Sequence, residues 1–178
     1  MKRAFVALFL FLAFFLFETS FVASLPSPIR LSPIVFAMAV YLLQHQLSPV
    51  GAWWLVAQGV MLDLFQIGSV PFETIPYAGA AIAGILVSRH VFSNRSYYGV
   101  AGCVVAAWSV LGLLRTVQIG IRYLQNAELG TFSLFFREWG IGLILALLCA
   151  WALFAVSARV RIVLGKSFLI PPSSRQTY

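Results

Sequence analysis

The chain consists of long apolar runs, separated by short stretches that hold most of its charged residues. A helix of about 20 residues, rising 1.5 Å per residue, crosses the roughly 30 Å hydrocarbon layer of a bilayer. No run alternates apolar and polar residues as a membrane barrel strand does. The pattern predicts an all-α fold, a polytopic transmembrane helical bundle of about six spans without a second domain or an internal repeat. The predicted spans are Ala4–Ala23, Pro33–Leu47, Pro49–Gln66, Phe72–Phe92, Tyr97–Ile121 and Phe136–Ala158.

The second of these segments has two interpretations. It is short, and Pro33 and Pro49 bracket it. A proline removes a backbone donor and interrupts a helix, so the segment is either a full, tilted span or a partly re-entrant one.

The first segment also has an alternative. Lys2-Arg3, an apolar run and Val22-Ala23-Ser24 together resemble a cleavable signal peptide. The long apolar core and Glu18, which interrupts the approach to the cleavage site, favour a retained span. Cleavage would leave five spans with unchanged orientation.

Composition excludes several classes of protein. Hydrophobic residues make up 61% of the 178 residues and charged residues 10%, and the mean hydropathy is +0.94. Soluble domains are roughly 45–50% apolar and about 25% charged. A chain of this length buries only about 70% of its surface, so it cannot hide this apolar surface from water. A soluble enzyme, a nucleic-acid-binding domain and a disordered tail are excluded, and membrane lipids are the expected surroundings.

The distribution of basic residues predicts the orientation. Twelve Lys and Arg against five Asp and Glu give a net charge of +7. Basic residues are enriched in cytoplasmic loops. With a cytoplasmic N-terminus and six spans, eight fall inside and three outside, while Arg115 stays within a span, so both termini should be cytoplasmic. The inner residues are Lys2, Arg3, Arg89, Arg95, Arg159, Arg161, Lys166 and Arg175, and the outer ones are Arg30, Arg122 and Arg137.

The chain is predicted to end in a tail outside the bundle. The bundle covers residues 1–165, and a short basic segment over 166–178 is expected to be flexible and cytoplasmic. A cation beside an anionic leaflet contributes about 1 kcal/mol, so lipid attachment is expected, with cytoskeletal contact as the alternative.

Three ionisable residues, Glu18, Asp63 and Arg115, form a predicted intramembrane polar cluster. They lie roughly 21, 21 and 27 Å from the inner ends of their spans, which places all three in the outer half of the bilayer. Such groups need partners or water. We expect Arg115 to pair with Asp63, with Glu18 as its second partner, in an outward-facing polar pocket, while Gln58 lies deeper on the third span. The alternative is that Glu18 and Arg115 extend separately to the headgroups.

Small residues predict where helices approach closely. Gly79 and Ala83 are four residues apart in the fourth span, and the sixth repeats small residues at the same interval. We expect these faces to pack within the bundle, although a dimer face is the alternative. The predicted packing residues of the sixth span are Gly142, Ala146 and Ala150.

Residues for catalysis or metal binding are not arranged in any familiar pattern. His45 and His90 stand in separate loop-proximal positions, and no nucleophile elbow or Walker loop occurs. Cys103 and Cys149 lie inside apolar runs, where cysteine behaves as a small hydrophobe. We predict no catalytic activity, no cofactor and no metal.

The stretch from Gln58 to Gly84 is the most distinctive part of the chain. A helix carries one acidic residue near its outer end, a Gly/Pro turn follows, and a helix with a small-residue face returns. This layout resembles the rod-shape-determining protein MreD family, whose members have a Gly, a few apolar residues and an Asp before a Gly/Pro turn. The matching residues are Gly59, Asp63, Gly68 and Pro71. Where the family has a further Gly after the proline, this chain has Phe72-Glu73.

The resemblance implies a non-enzymatic scaffold of the cell-elongation machinery, multi-pass in the bacterial inner (cytoplasmic) membrane. Its implied partners are a bitopic MreC-like protein, the MreB cytoskeleton and the peptidoglycan synthase of lateral wall growth, and no nucleic acid. The family's bundle is similar to the vitamin-binding subunits of energy-coupling-factor transporters. The alternative is therefore a small-ligand-binding transporter subunit with an outward-facing polar pocket. An intramembrane enzyme is a third reading, disfavoured because the sequence offers no nucleophile–base constellation.

Overall fold

The computed structural model describes residues 2–45, 49–65, 67, 72–91, 96–126 and 131–167. In these ranges the chain forms helices and no strand, which confirms the predicted all-α helical bundle. The α-helices described are α1 (Lys2–Leu16), α2 (Ile34–His45), α3 (Pro49–Phe65), α4 (Thr74–His90), α5 (Tyr97–Asn126) and α6 (Thr131–Ser167).

The first helix changes its winding towards its end. α1 continues without interruption into a π-helical stretch, Phe17–Phe21, and then into a 3₁₀ turn, Val22–Ser24. A further 3₁₀ turn, Ile29–Leu31, precedes α2. The π-helical stretch contains Glu18, and the Thr19 hydroxyl donates to the Phe15 carbonyl at 2.9 Å, so the local polar groups are partly satisfied within the helix.

Three of the described helices are long and apolar enough to cross a membrane: Ala4–Ser24, Tyr97–Ile121 and Leu134–Arg159. They coincide with the first, fifth and sixth predicted spans. α2 and α3 are apolar but shorter, and α4 has 17 residues. α6 extends beyond the predicted end at Ala158 and passes through residue 165 without a break, while residues 168–178 of the predicted tail lie outside the described residues.

The short helix α2 forms the centre of the bundle. It contacts α1, α3, α4, α5 and α6, and its Val35, Phe36 and Val40 are fully buried. The helix is apolar on all faces, as expected for a helix without a solvent-facing side. Its 12 residues extend about 18 Å, less than the hydrocarbon thickness. Its neighbours therefore shield it from lipid, which allows a helix too short to cross the hydrocarbon layer alone.

The predicted small-residue faces pack against neighbouring helices of the same chain. A methyl group added to Gly79 would overlap the Leu114 side chain on α5. A methyl group on Gly142 would lie 2.7 Å from a ring carbon of Trp108. The two alanines that follow Gly142 at intervals of four, Ala146 and Ala150, are fully buried, and Ala83 is half-buried.

Large apolar side chains cover much of the outer surface. Phe9 is 67% exposed on α1, Leu86 53% on α4 and Trp151 58% on α6. A soluble monomer rarely exposes apolar patches of this extent, whereas lipid solvates them. This surface and the three long apolar helices are compatible with a membrane protein.

Candidate functional site

The carboxylate of Glu18 connects three helices. Its Oε2 accepts a hydrogen bond of 2.6 Å from the backbone N–H of Val35, in the first turn of α2. Its Oε1 accepts one of 3.2 Å from the side-chain amide of Gln58 on α3. The first N–H groups of a helix have no partner within the helix, and a negative charge is favourable at that end. Glu18 therefore joins the end of the first helix to α2 and α3.

The carboxylate of Asp63 accepts hydrogen bonds at the start of α4 in the same way. Its Oδ1 accepts from the backbone N–H of Glu73 at 2.6 Å, and its Oδ2 accepts from the backbone N–H and the hydroxyl of Thr74 at 2.9 and 2.5 Å. Asp63 lies near the end of α3, Glu73 is the N-cap residue of α4, and Thr74 is its first residue. The carboxylate thus caps α4 and closes the α3–α4 hairpin.

The arginine of the predicted cluster pairs with Glu73, and the expected pairing with Asp63 is wrong. Arg115 donates through Nη2 at 2.7 Å and Nε at 2.9 Å, both to Oε2 of Glu73. The guanidinium carbon also lies 5.5 Å from the ring centre of Tyr77, within cation–π range. The physical reason for the change of partner is that both oxygens of Asp63 are engaged with α4, while the fully buried Glu73 side chain meets α5.

A cavity of about 300 Å³ brings Glu18 and Arg115 together as lining residues. We name it the inner cavity. Its polar lining consists of Glu18, Arg30, Gln58, Glu73, Arg115 and Glu138, with Tyr77 beside them. Two of the three predicted cluster residues, Glu18 and Arg115, therefore line the same cavity. Asp63 does not line it, but it accepts a hydrogen bond from the backbone of Glu73, which does.

Two tryptophans close one side of the inner cavity. The indole N–H of Trp108 donates to the Trp139 carbonyl at 3.1 Å, and that of Trp139 donates to the Trp108 carbonyl at 3.4 Å. This reciprocal pair fastens α5 to α6. Trp108 also packs edge-on against Phe36 of α2, with ring centres 4.9 Å apart. This side of the cavity is therefore connected to the core through Trp108 and Phe36.

The side chain of Gln58 is buried but incompletely satisfied. The residue is 1% exposed, and its amide nitrogen donates to Glu18. Among the described residues, no donor reaches its Oε1. A buried acceptor without a partner costs about 1–3 kcal/mol.

The two described positions of the family-like motif, Gly59 and Asp63, both act on the α3–α4 hairpin. A methyl group on Gly59 would lie 2.8 Å from the Cα of Thr74, so glycine permits the two backbones to meet. Gly68 and Pro71 lie outside the described residues. Phe72 adopts φ 61°, a left-handed conformation that glycine takes freely and phenylalanine rarely.

Sequence reasoning missed the structural role of Glu73. It appeared only as an additional acidic group on the outer face. A usable signal existed, because Glu73 is one of five acidic residues in the chain and follows the predicted Gly/Pro turn just after Asp63, the partner expected for Arg115. No group of three or more His, Cys, Asp or Glu within the described ranges could hold a metal ion.

No protein-family model, curated protein or solved structure matches the chain.

Proposed function

We propose that the chain is a non-enzymatic integral membrane scaffold of the MreD kind. In this role it would organise lateral peptidoglycan synthesis in the bacterial inner membrane through a bitopic MreC-like partner. The observation that carries the proposal is the α3–α4 hairpin, in which the family-like residues Gly59 and Asp63 hold the two helices together. Gly59 permits the close approach, and Asp63 caps the returning helix.

The backbone at Phe72 adds support. The MreD pattern has a glycine directly after the turn proline, and this chain has phenylalanine there. Its φ of 61° is one that glycine adopts without cost. A left-handed backbone at this position is what a glycine there would favour, and this supports the proposal.

The proposed topology has six spans and cytoplasmic termini. α2 and α4 both begin at acidic side chains near the inner cavity, as helices entering from one membrane face would. The basic residues predict that this face is the outer one. The proposal therefore places Glu18, Glu73 and Arg115 beneath the outer surface.

Co-purification tests the scaffold. The tagged chain, extracted in mild detergent from cells that also express an MreC-like protein, should retain that bitopic protein through size-exclusion chromatography. Gly59→Ala should weaken the association by disturbing the hairpin. Gly140→Ala is the matched control, since a methyl group there meets no atom of the described residues within 4 Å. Equal retention by the parent chain and an unrelated six-span protein would contradict the proposal.

The inner cavity favours a second candidate, a small-ligand-binding subunit of an energy-coupling-factor-type transporter. Ligand sites are commonly concave, with a few polar groups among apolar walls, and about 300 Å³ is at the small end of their range. This candidate predicts co-purification with ATPase subunits. It also predicts stabilisation by ligand of about 2.7 kcal/mol at 100 times Kd. A scaffold would show the MreC-like partner without the ATPases.

A further inference from the structure

A second cavity adjoins the inner one and differs from it in charge. It has a volume of about 180 Å³, and we name it the rim cavity. The two share Arg30, Leu31 and Glu138 as lining residues. The rim cavity adds Arg137, so two arginines face one glutamate there. Both arginines are exposed.

The inner cavity has the opposite balance of charge. Its lining holds the carboxylates of Glu18, Glu73 and Glu138 against the two guanidiniums of Arg30 and Arg115, and Arg115 is already paired with Glu73. The Oε1 of Gln58 adds an acceptor that no described residue satisfies. In this orientation the amide nitrogen donates to Glu18, which leaves the oxygen to accept from another group. This end of the site therefore suits a hydrogen-bond donor carrying positive charge.

The rim cavity suits an anionic group. A guanidinium presents several N–H donors in a fixed fork, which matches the oxygens of a phosphate or carboxylate. Arg30 and Arg137 line the same small space from the 3₁₀ turn and from α6. The anionic group of a ligand there would be bound by two elements of the fold, and a cationic group of the same ligand would point into the inner cavity.

We propose that the joined cavities bind a zwitterionic ligand of the phosphoethanolamine type. Its ammonium donates to Gln58 Oε1 in the inner cavity, and its phosphate lies between Arg30 and Arg137 at the rim. The same chemistry is offered by the headgroup of phosphatidylethanolamine and by free phosphoethanolamine. The inference goes beyond the scaffold function, and it supplies a ligand class for the transporter candidate.

Calorimetric titration of the full chain in lipid-free detergent tests the charge pattern without any variant. Phosphoethanolamine should bind at least about tenfold more tightly than phosphocholine, since the trimethylated nitrogen has no N–H to donate. Inorganic phosphate alone and ethanolamine alone should each bind more weakly than phosphoethanolamine. Equal binding of phosphocholine, equal binding of phosphate alone, or no phosphoethanolamine binding in either detergent or bilayer would overturn the proposal.

Matched variants locate the site. Gln58→Leu should weaken phosphoethanolamine binding about tenfold. Gln118→Leu is the control, because Gln118 also has an Oε1 that no described residue satisfies but does not line either cavity. Arg30→Ala with Arg137→Ala should weaken phosphoethanolamine and leave ethanolamine unchanged. Equal effects of the two glutamine changes would overturn the assignment.

The source of the ligand is decided in bilayers. If it is a lipid, native mass spectrometry should show retained phosphatidylethanolamine. The melting temperature of the protein should then be higher in nanodiscs containing that lipid than in nanodiscs in which phosphatidylcholine replaces it. If the ligand is a free solute, added phosphoethanolamine should raise the melting temperature equally in both. Retention of the MreC-like partner is measured in parallel, so the site can fail while the scaffold stands.

Discussion

Arg115 and Glu73, 42 residues apart in the chain, form a two-nitrogen, one-oxygen ion pair with distances of 2.7 and 2.9 Å. The glutamate is fully buried, and the arginine side chain is 17% exposed. Burying two charges costs more than exposing them, and the cost is recovered only when both remain paired. The pair therefore fixes how α5 meets the start of α4.

Breaking this pair from one side should be more damaging than removing it. Glu73→Gln or Arg115→Gln alone should destabilise the protein by about 3–5 kcal/mol, because each leaves an uncompensated charge. The double variant should lose less than the sum, with a coupling of about 1–3 kcal/mol. Thermal unfolding in detergent provides the measurement. Arg115→Gln combined with Asp63→Asn should show a smaller coupling, and equal coupling would argue for the Asp63 pairing instead.

Asp63 should prove to be a helix cap. Asp63→Ala should destabilise the protein by about 1–2 kcal/mol and speed hydrogen exchange at the amides of Glu73 and Thr74, which would lose their acceptor. Asp63→Asn keeps one acceptor oxygen and should cost less. Unchanged exchange at both amides in the alanine variant would contradict the capping role.

The left-handed backbone at Phe72 predicts a gain from glycine. Phe72→Gly should be more stable than Phe72→Ala by about 1 kcal/mol, because alanine keeps the strain of φ 61° while both variants lose the ring. Comparing these two variants removes the effect of the 68% exposed aromatic side chain. Equal melting temperatures would mean that the position is not left-handed.

Gly59 and Gly140 should respond oppositely to an added methyl group. Gly59→Ala should cost about 1–3 kcal/mol, since the methyl would meet backbone atoms of α4 that cannot move independently. Gly140→Ala points into open space on a helix and should gain about 0.5–1 kcal/mol. A loss at both glycines would show that helix contacts at Gly140 have been overlooked.

Hydropathy was sufficient to predict the helices. A run such as Tyr97–Ile121 admits one solution in lipid, since every backbone polar group must be satisfied within the helix. The same reasoning identified Glu18 and Arg115 as groups that share a polar space. Both are expensive in hydrocarbon, so their surroundings are constrained.

Hydropathy could not predict the partners of those groups. Whether Arg115 meets Asp63 or Glu73 depends on the side-chain directions at the α3–α4 turn, which a linear pattern does not encode. The central place of α2 was equally hidden, because a 12-residue apolar helix can lie at the membrane surface or in the core. Contacts with five neighbouring helices decide for the core.

Accessibility of two positions to a membrane-impermeant maleimide tests the central claim most directly. Glu138→Cys lies at the cavities, and Arg89→Cys lies on the last turn of α4, which begins at the inner cavity and runs away from it. Each is made in a chain where Cys103 and Cys149 are replaced by alanine. Position 138 should label in intact cells, and position 89 only after the membrane is disrupted. Labelling of position 89 in intact cells with protection of position 138, or recovery of the chain in the water-soluble fraction, would contradict the account.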